Sequence, residues 1–145
     1  MATTNVVNTT LFTFRSSTGG GGGTVYGHEN DVTFTVNHEP RDITTKDSSG
    51  WRELLEGLRS YEISFGGLLA FDASLGVFTS STGIEAVLRA RTAQTWILGT
   101  GVSGDPKLSG SGYFTSLEIS SPDQESNCTF SCSLQGSGQY YVGTF

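Results

Sequence analysis

The chain predicts an antiparallel β-sandwich or barrel with one short flanking α-helix, and three observations carry that expectation. Gly, Ser and Thr together fill 58 of the 145 positions, the profile of short strands joined by tight turns. Charged residues make up only 15% and hydrophobic residues 35%. That is too little charge for a disordered acidic tail and too few helix formers for a bundle. Apolar and hydroxyl residues also alternate at the period of a strand in several separate segments. At 15.4 kDa, residues 1–145 make a single domain with enough chain to bury a core.

The elements follow in order. A polar arm, residues 1–10, precedes a short apolar stretch from Leu11 to Phe14. Residues 16–24 hold five consecutive glycines, Gly19 to Gly23, and read as a flexible hairpin tip or surface loop. Asp31 to Glu39 alternates as a strand, with Val32, Phe34 and Val36 on one face, and Pro40 ends it. The long segment 40–58 reads as a loop. Within it Trp51, Leu54, Leu55 and Leu58 have one-turn spacing that allows a turn or two of helix. Arg59 to Gly66 is a strand, with Tyr61, Ile63 and Phe65 opposite Ser60, Glu62 and Ser64.

A helix is expected over residues 82–91. Thr82-Gly83-Ile84-Glu85 has the form of a capping box, Ile84, Val87 and Leu88 make a buried stripe, and Glu85 and Arg89 pair one turn apart. A strand around Trp96 and Leu98 (Thr95 to Gly99) is followed by a loop, Gly99 to Gly112. Residues 113–121 and 127–136 close the chain as a hairpin.

Several chemistries are excluded on spacing. The glycine run lacks the Lys and Ser or Thr that a phosphate-cradling loop places directly after its glycines. Gly99-Thr100-Gly101-Val102-Ser103-Gly104 has dinucleotide-site spacing, but a loop follows where that site needs a helix N-terminus, so no cofactor is expected. Cys128 and Cys132 lie four strand steps apart, roughly 13 Å, too far for a disulfide or a shared metal ion. They read as small core hydrophobes. His28 and His38 have no metal-ligand spacing; His38 beside Glu39 and Asp42 resembles half a triad but lacks a defined nucleophile. No catalytic, cofactor or metal residue is therefore assigned.

A net charge of −6 argues against a surface that grips nucleic acid, which relies on Lys and Arg to neutralise phosphate. No apolar run approaches the ~20 residues of a membrane span, and the start lacks the basic and apolar parts of a signal peptide. Cytoplasmic synthesis is expected, with the glycosylation triplets at Asn8 and Asn127 left unused.

The polar strand faces are informative as a set. Thr33, Thr35, Asn37, Glu39, Ser60, Glu62, Ser64, Ser116, Glu118, Ser120, Thr129, Ser131, Ser133 and Gln135 include three acids, nine hydroxyls, two amides and no base. Open strand edges are ordinarily guarded, often by Lys, because unpaired strands recruit other chains. Here there are two Lys, neither within the strands delimited above. Two readings fit: a solvated small-polar sheet, or a sheet whose edges pair with identical copies and close a ring around a mildly acidic face.

The run His38-Glu39-Pro40-Arg41-Asp42-Ile43-Thr44-Thr45-Lys46-Asp47-Ser48-Ser49-Gly50-Trp51-Arg52-Glu53, leading into Leu58-Arg59-Ser60-Tyr61-Glu62-Ile63-Ser64, resembles the major tail protein (tail tube) family of long-tailed bacteriophages. Gly112-Tyr113-Phe114-Thr115-Ser116-Leu117-Glu118 and Phe130-Ser131-Cys132-Ser133-Leu134-Gln135-Gly136-Ser137-Gly138 resemble its closing hairpin. The likeness covers about residues 31 to 138; the run Gly19 to Gly23 departs from it. It implies a structural virion protein whose hexameric rings stack into the hollow tail tube that conducts DNA during ejection.

Under that implication the partners are other copies of the chain and the tape-measure, terminator and baseplate or tip proteins. DNA passes without specific binding, assembly takes place in the host cytoplasm, and there is no membrane insertion. The resemblance makes segment 40–58 an inter-subunit loop, with Arg41, Asp42, Lys46, Asp47, Trp51, Arg52, Glu53, Leu55 and Leu58 as candidate contacts. Glu62 and Glu118 are the candidate lumen residues. The segment's three bases and four acids around Trp51 and Leu55 agree with a desolvated anchor inside a charged rim; Trp51 buried under the loop is the competing reading. The rival functions are a monomeric β-sandwich binding sugars through Tyr140, Tyr141 or Trp96, and the tube of a phage-like contractile injection system.

Overall fold

The computed structural model describes residues 7, 12–17, 23–27, 29–71, 75–79 and 81–145. Among the described residues seven strands form one antiparallel sheet: β1 (Thr13–Ser16), β2 (Thr24–Val25), β3 (Glu29–Asp42), β4 (Leu54–Leu68), β5 (Gln94–Gly99), β6 (Pro106–Ser120) and β7 (Thr129–Thr144). Their order across the sheet is β2-β1-β5-β6-β7-β4-β3. One helix, α1 (Ile84–Ala90), packs on β6.

The sheet curls until its two halves face each other, which gives the sandwich-like core the alternation predicts. Phe14 of β1 stacks on Phe65 of β4 with ring centroids 4.3 Å apart, although β5, β6 and β7 separate those strands in the sheet. Tyr26 joins the same stack, 5.5 Å from Phe14. At the start of β3, Glu29 Oε1 accepts the Phe14 N–H at 2.8 Å and ties the two ends of the curl together. Burial holds the Glu29 carboxyl up at about 7, against the lowering effect of that N–H.

A second group of rings fills the other end. Tyr61 packs edge-on to Trp96 at 5.6 Å and to Tyr140 at 5.5 Å, while Phe34 lies 5.9 Å from Trp96. Glycine makes the room: a Cβ at Gly136 would lie 2.2 Å from the Tyr61 ring, and one at Gly110 would meet Trp96 at 3.0 Å. Cys132 is buried and Cys128 half-buried, both free thiols, and burial pushes the Cys132 thiol up.

Some expected boundaries are corrected. Residues 106–112 are strand rather than loop, because a Ser- and Gly-rich stretch lacks apolar alternation yet runs under Trp96 and Tyr61. Lys107 therefore lies within a strand, between β5 and β7 rather than on an open edge. The helix begins at Ile84 with Gly83 as its N-cap, one residue later than the Thr82–Glu85 box places it. Backbone carbonyls of Thr79, Gly76 and Val77 accept the amides of Gly83, Ile84 and Glu85. The Glu85–Arg89 pair forms at 3.5 Å.

Segment 40–58 is a connection only from 43 to 53, with strand on either side. β3 runs to Asp42, β4 starts at Leu54, and a single 3-10 turn (Lys46–Ser48) caps the long hairpin they make. The helical spacing of Trp51, Leu54, Leu55 and Leu58 is accidental, since the last three residues are paired strand. β1 and β2 pair antiparallel, Ser16 opposite Thr24; the expected hairpin tip or surface loop at Gly19 to Gly23 falls, but for Gly23, outside the described residues. His28, the Asn8 triplet and, apart from Val7, the 1–10 arm lie outside them as well.

Candidate assembly surface

Strands β6, β7, β4 and β3 carry the polar face in register. Thr35, Glu62 and Gln135 form one row; Thr33, Ser64, Ser133 and Ser116 the next; Asp31, Gly66, Ser131 and Glu118 a third. The alternation of each strand sends its rings into the core and these groups outward. Glu62 and Glu118 are both exposed on this face, and the register adds Asp31, which the sequence reading left out.

Two strand edges border the face without a strand partner among the described residues. β3 pairs only with β4 along its whole length. β6 pairs with β5 only from Lys107 to Gly112, so Tyr113 to Ser120 is open on that side. Consecutive strands of this four-strand portion are antiparallel, and β3 therefore runs opposite to β6.

The tip of the β3–β4 hairpin is a folded unit made by the polar residues of its motif. Asp42 Oδ1 accepts the Thr44 N–H at 2.9 Å, and Oδ2 accepts Arg52 Nε at 3.2 Å. Bonds from Thr44, and secondarily the Arg52 guanidinium, hold the Asp42 carboxyl below its ordinary value. Thr44 Oγ1 accepts the Glu53 N–H at 2.9 Å, and Ser48 Oγ accepts the Thr45 N–H at 3.1 Å. Ser49 and Gly50 take left-handed backbone, φ 52° and 80°, to turn the chain back.

With its polar groups engaged locally, the tip leaves its hydrophobes outside. Trp51 is 78% exposed, and Ile43, Leu54 and Leu55 are also exposed. Trp51 is thus not a core residue. Of the nine candidate contacts, Arg41, Asp42, Lys46, Asp47, Trp51, Arg52, Glu53 and Leu55 sit together on this tip and its arms, while Leu58 lies lower, past a bulge between Glu39 and Arg41. Gly57 sits at that bulge, where a Cβ would lie 1.7 Å from the Glu39 carbonyl oxygen. His38 Nε2 accepts the Gly57 N–H at 3.2 Å, which makes it a support of the bulge rather than half a triad.

Below the bulge the sheet opens. β4 and β7 pair from Leu68↔Thr129 to Glu62↔Gln135 and then part. Between them lies a cleft of about 600 Å³ lined by Val36, Leu58, Arg59, Tyr61, Tyr141 and Val142, among others. No sequence signal marks this cleft, because it arises where two strands diverge.

A sugar platform is not formed at Trp96, which is fully buried, and Tyr140 is half inside the ring cluster. The glycines of the 99–104 run instead shape a turn, with Gly101 and Gly104 at φ 76° and 93°. Thr100 Oγ1 donates to Asp105 Oδ2 at 2.5 Å across it. No group of three or more His, Cys, Asp or Glu is placed to hold a metal ion among the described residues. No described helix is long and apolar enough to cross a membrane.

The fold is shared with chains of solved tail and virion particles. A chain from the virion of a native gene transfer agent particle superposes with a TM-score of 0.78 at 17% identity, covering 96% of this chain and all of that one. A chain from the tail of an empty gene transfer agent particle, refined with C6 symmetry, gives 0.76 at 20% identity over 96% of this chain and 100% of its own. The SPP1 tail tube gives 0.69 at 16% identity over 92% of this chain and 76% of that one. No curated protein sequence matches the chain. A family profile described as phage tail tube protein matches residues 8–142, and the chain belongs to that family: it is a structural protein of the virion tail tube.

Proposed function

We propose that six copies of this chain close into a ring through their open sheet edges, and that rings stack into a hollow tube through which DNA passes. The observation that carries this reading is the four-strand portion β6-β7-β4-β3, polar on one face and open at both edges. An even number of strands per copy makes β3 of one copy antiparallel to β6 of the next, so the pattern repeats around a ring without a direction mismatch. The C6 symmetry of the related gene transfer agent tail supports six copies. Six copies give 24 strands; at a spacing of about 4.8 Å and a tilt of about 40° such a barrel is roughly 50 Å across. That leaves ample room for a double helix inside.

The polar rows face the lumen in this arrangement, with Glu62 and Glu118 on the wall. A wall of Arg or Lys would hold phosphate through counterion release, whereas hydroxyls and carboxylates let the duplex slide. At −6 per copy a ring carries on the order of −36 before screening. The role is structural, and no catalytic step is assigned. The hairpin tip contacts neighbouring copies, and the tape-measure, terminator and baseplate or tip proteins are the further partners.

Negative-stain microscopy of purified protein at rising concentration tests the reading. Rings and hollow cylinders are expected. Single particles at every concentration and salt, alone or with other virion components, would overturn it.

A further inference from the structure

We infer that the cleft between β4 and β7 is the seat for the hairpin tip of a second copy, with Trp51 as the anchor. The inference deepens the ring reading and rests on it only in requiring another copy. Exposed apolar side chains gather at the tip, with Trp51 78% and Leu54 51% exposed, and at the cleft, with Leu58 76%, Val142 71% and Tyr141 63% exposed. Single exposed hydrophobes are ordinary, but contiguous patches mark contact surfaces.

The two patches cannot meet within one chain. β4 runs as strand from Leu54 through the bulge at Gly57 to Tyr61 and beyond, which holds the tip roughly 20 Å from the base of the cleft. They can meet between chains. The cleft's volume of about 600 Å³ accommodates an indole with its neighbours. Its walls combine aliphatic surface with the Tyr141 ring and the Arg59 guanidinium, groups that pack on an aromatic face. Arg59 is the only charged residue lining the cleft; near Trp51 in sequence the tip carries Asp47 and Glu53 with Lys46, while Arg52 is paired with Asp42.

The cleft also has two open backbone edges. Residues 54–61 of β4 pair only with β3, and residues 136–144 of β7 only with β6. Extended backbone entering the cleft therefore finds strand edges on both sides. A contact between two different patches is heterologous: each copy offers one patch and receives the other, so the contact propagates instead of closing as a dimer. That is the symmetry an axial stack of rings requires.

Two chains of different mass, one Trp51→Cys and the other Val142→Cys, both with Cys128→Ser, are mixed and mildly oxidised. A disulfide-linked heterodimer is expected, at least tenfold over either homodimer. A second arm follows Val142→Asp, an exposed position, by thermal melting and microscopy. This variant is expected to melt with wild-type protein yet form rings that do not stack. Rings and cylinders without the heterodimer, together with Val142→Asp stacking normally, would overturn the seat and leave the ring reading standing. A heterodimer without rings would remove the ring reading and leave the seat. Neither product would remove both.

Discussion

The chain's two tryptophans lie in regions built by opposite means. Around Trp96 the side chain is fully buried, the rings of Phe34 on β3 and Tyr61 on β4 pack on it, and Gly110 on β6 clears the space. Around Trp51 the backbone is held by carboxylate and hydroxyl groups from its own sequence neighbours, and the indole stays outside. The first region obtains its order from long-range packing and is complete in one copy. The second obtains its order locally and keeps its apolar surface for something else. The buried core and the polar motif of the tip thus answer different requirements: one makes the fold, the other makes a shaped projection.

The contrast is sharpest in an alanine pair. Trp96→Ala should remove about 3–5 kcal/mol of stability, read by urea unfolding, whereas Trp51→Ala should change it by less than about 0.5 kcal/mol while abolishing cylinders in the microscope. Equal losses of stability would erase the distinction between the regions.

A smaller effect is expected where they join. Gly57→Ala forces a methyl into the Glu39 carbonyl at the bulge. We expect a loss of about 1–3 kcal/mol with the hairpin mis-aimed, so that assembly is lost even at temperatures where the core stays folded. Hydrogen exchange that loosens the hairpin but not β5–β7 would show this division.

How much of this was legible follows the same line. Alternation reveals the strands wherever one face is buried and the other wet, as at Tyr61-Glu62-Ile63-Ser64 and Phe130-Ser131-Cys132-Ser133. It fails in the hairpin arms, because the bulge at Glu39 shifts the register and both faces are solvated. It fails again at residues 106–112, where glycines stand in for the small side of a packed strand. The polar face was readable as a list, but its rows, including Asp31 beside the named acids, needed the register. The resemblance marked the tip as special, and only the hydrogen bonds explain why Asp42, Thr44 and Ser48 stand there.

A pH experiment refines the packed side of the comparison. The Glu29 carboxyl is raised from 4.5 to about 7 by burial, so between those values the folded chain holds more protons than the unfolded one. Stability should be fullest below pH 4.5, fall as pH rises through about 7, and level off above. Glu29→Gln keeps an acceptor for the Phe14 N–H and should flatten that fall. The check is the melting temperature of both proteins from pH 5 to 8; parallel curves would refute it.

The smallest effect on the isolated fold belongs to the polar rows. Glu62→Lys and Glu118→Lys lie on an exposed face and should leave melting within about 0.5 kcal/mol of wild type. In assembled tails they should slow DNA ejection, and unchanged kinetics in both would remove the lumen assignment.

The absence of a side chain at Gly57 has an architectural consequence. The direction in which the projecting arm departs from the sheet is set where two backbones touch, not by a hinge with room to swing. With the tip seated on a second copy as proposed, an arm aimed in that way sets how far along the axis that copy sits. The rise of a filament would then be encoded by a missing methyl group, and every subunit would read out the same length.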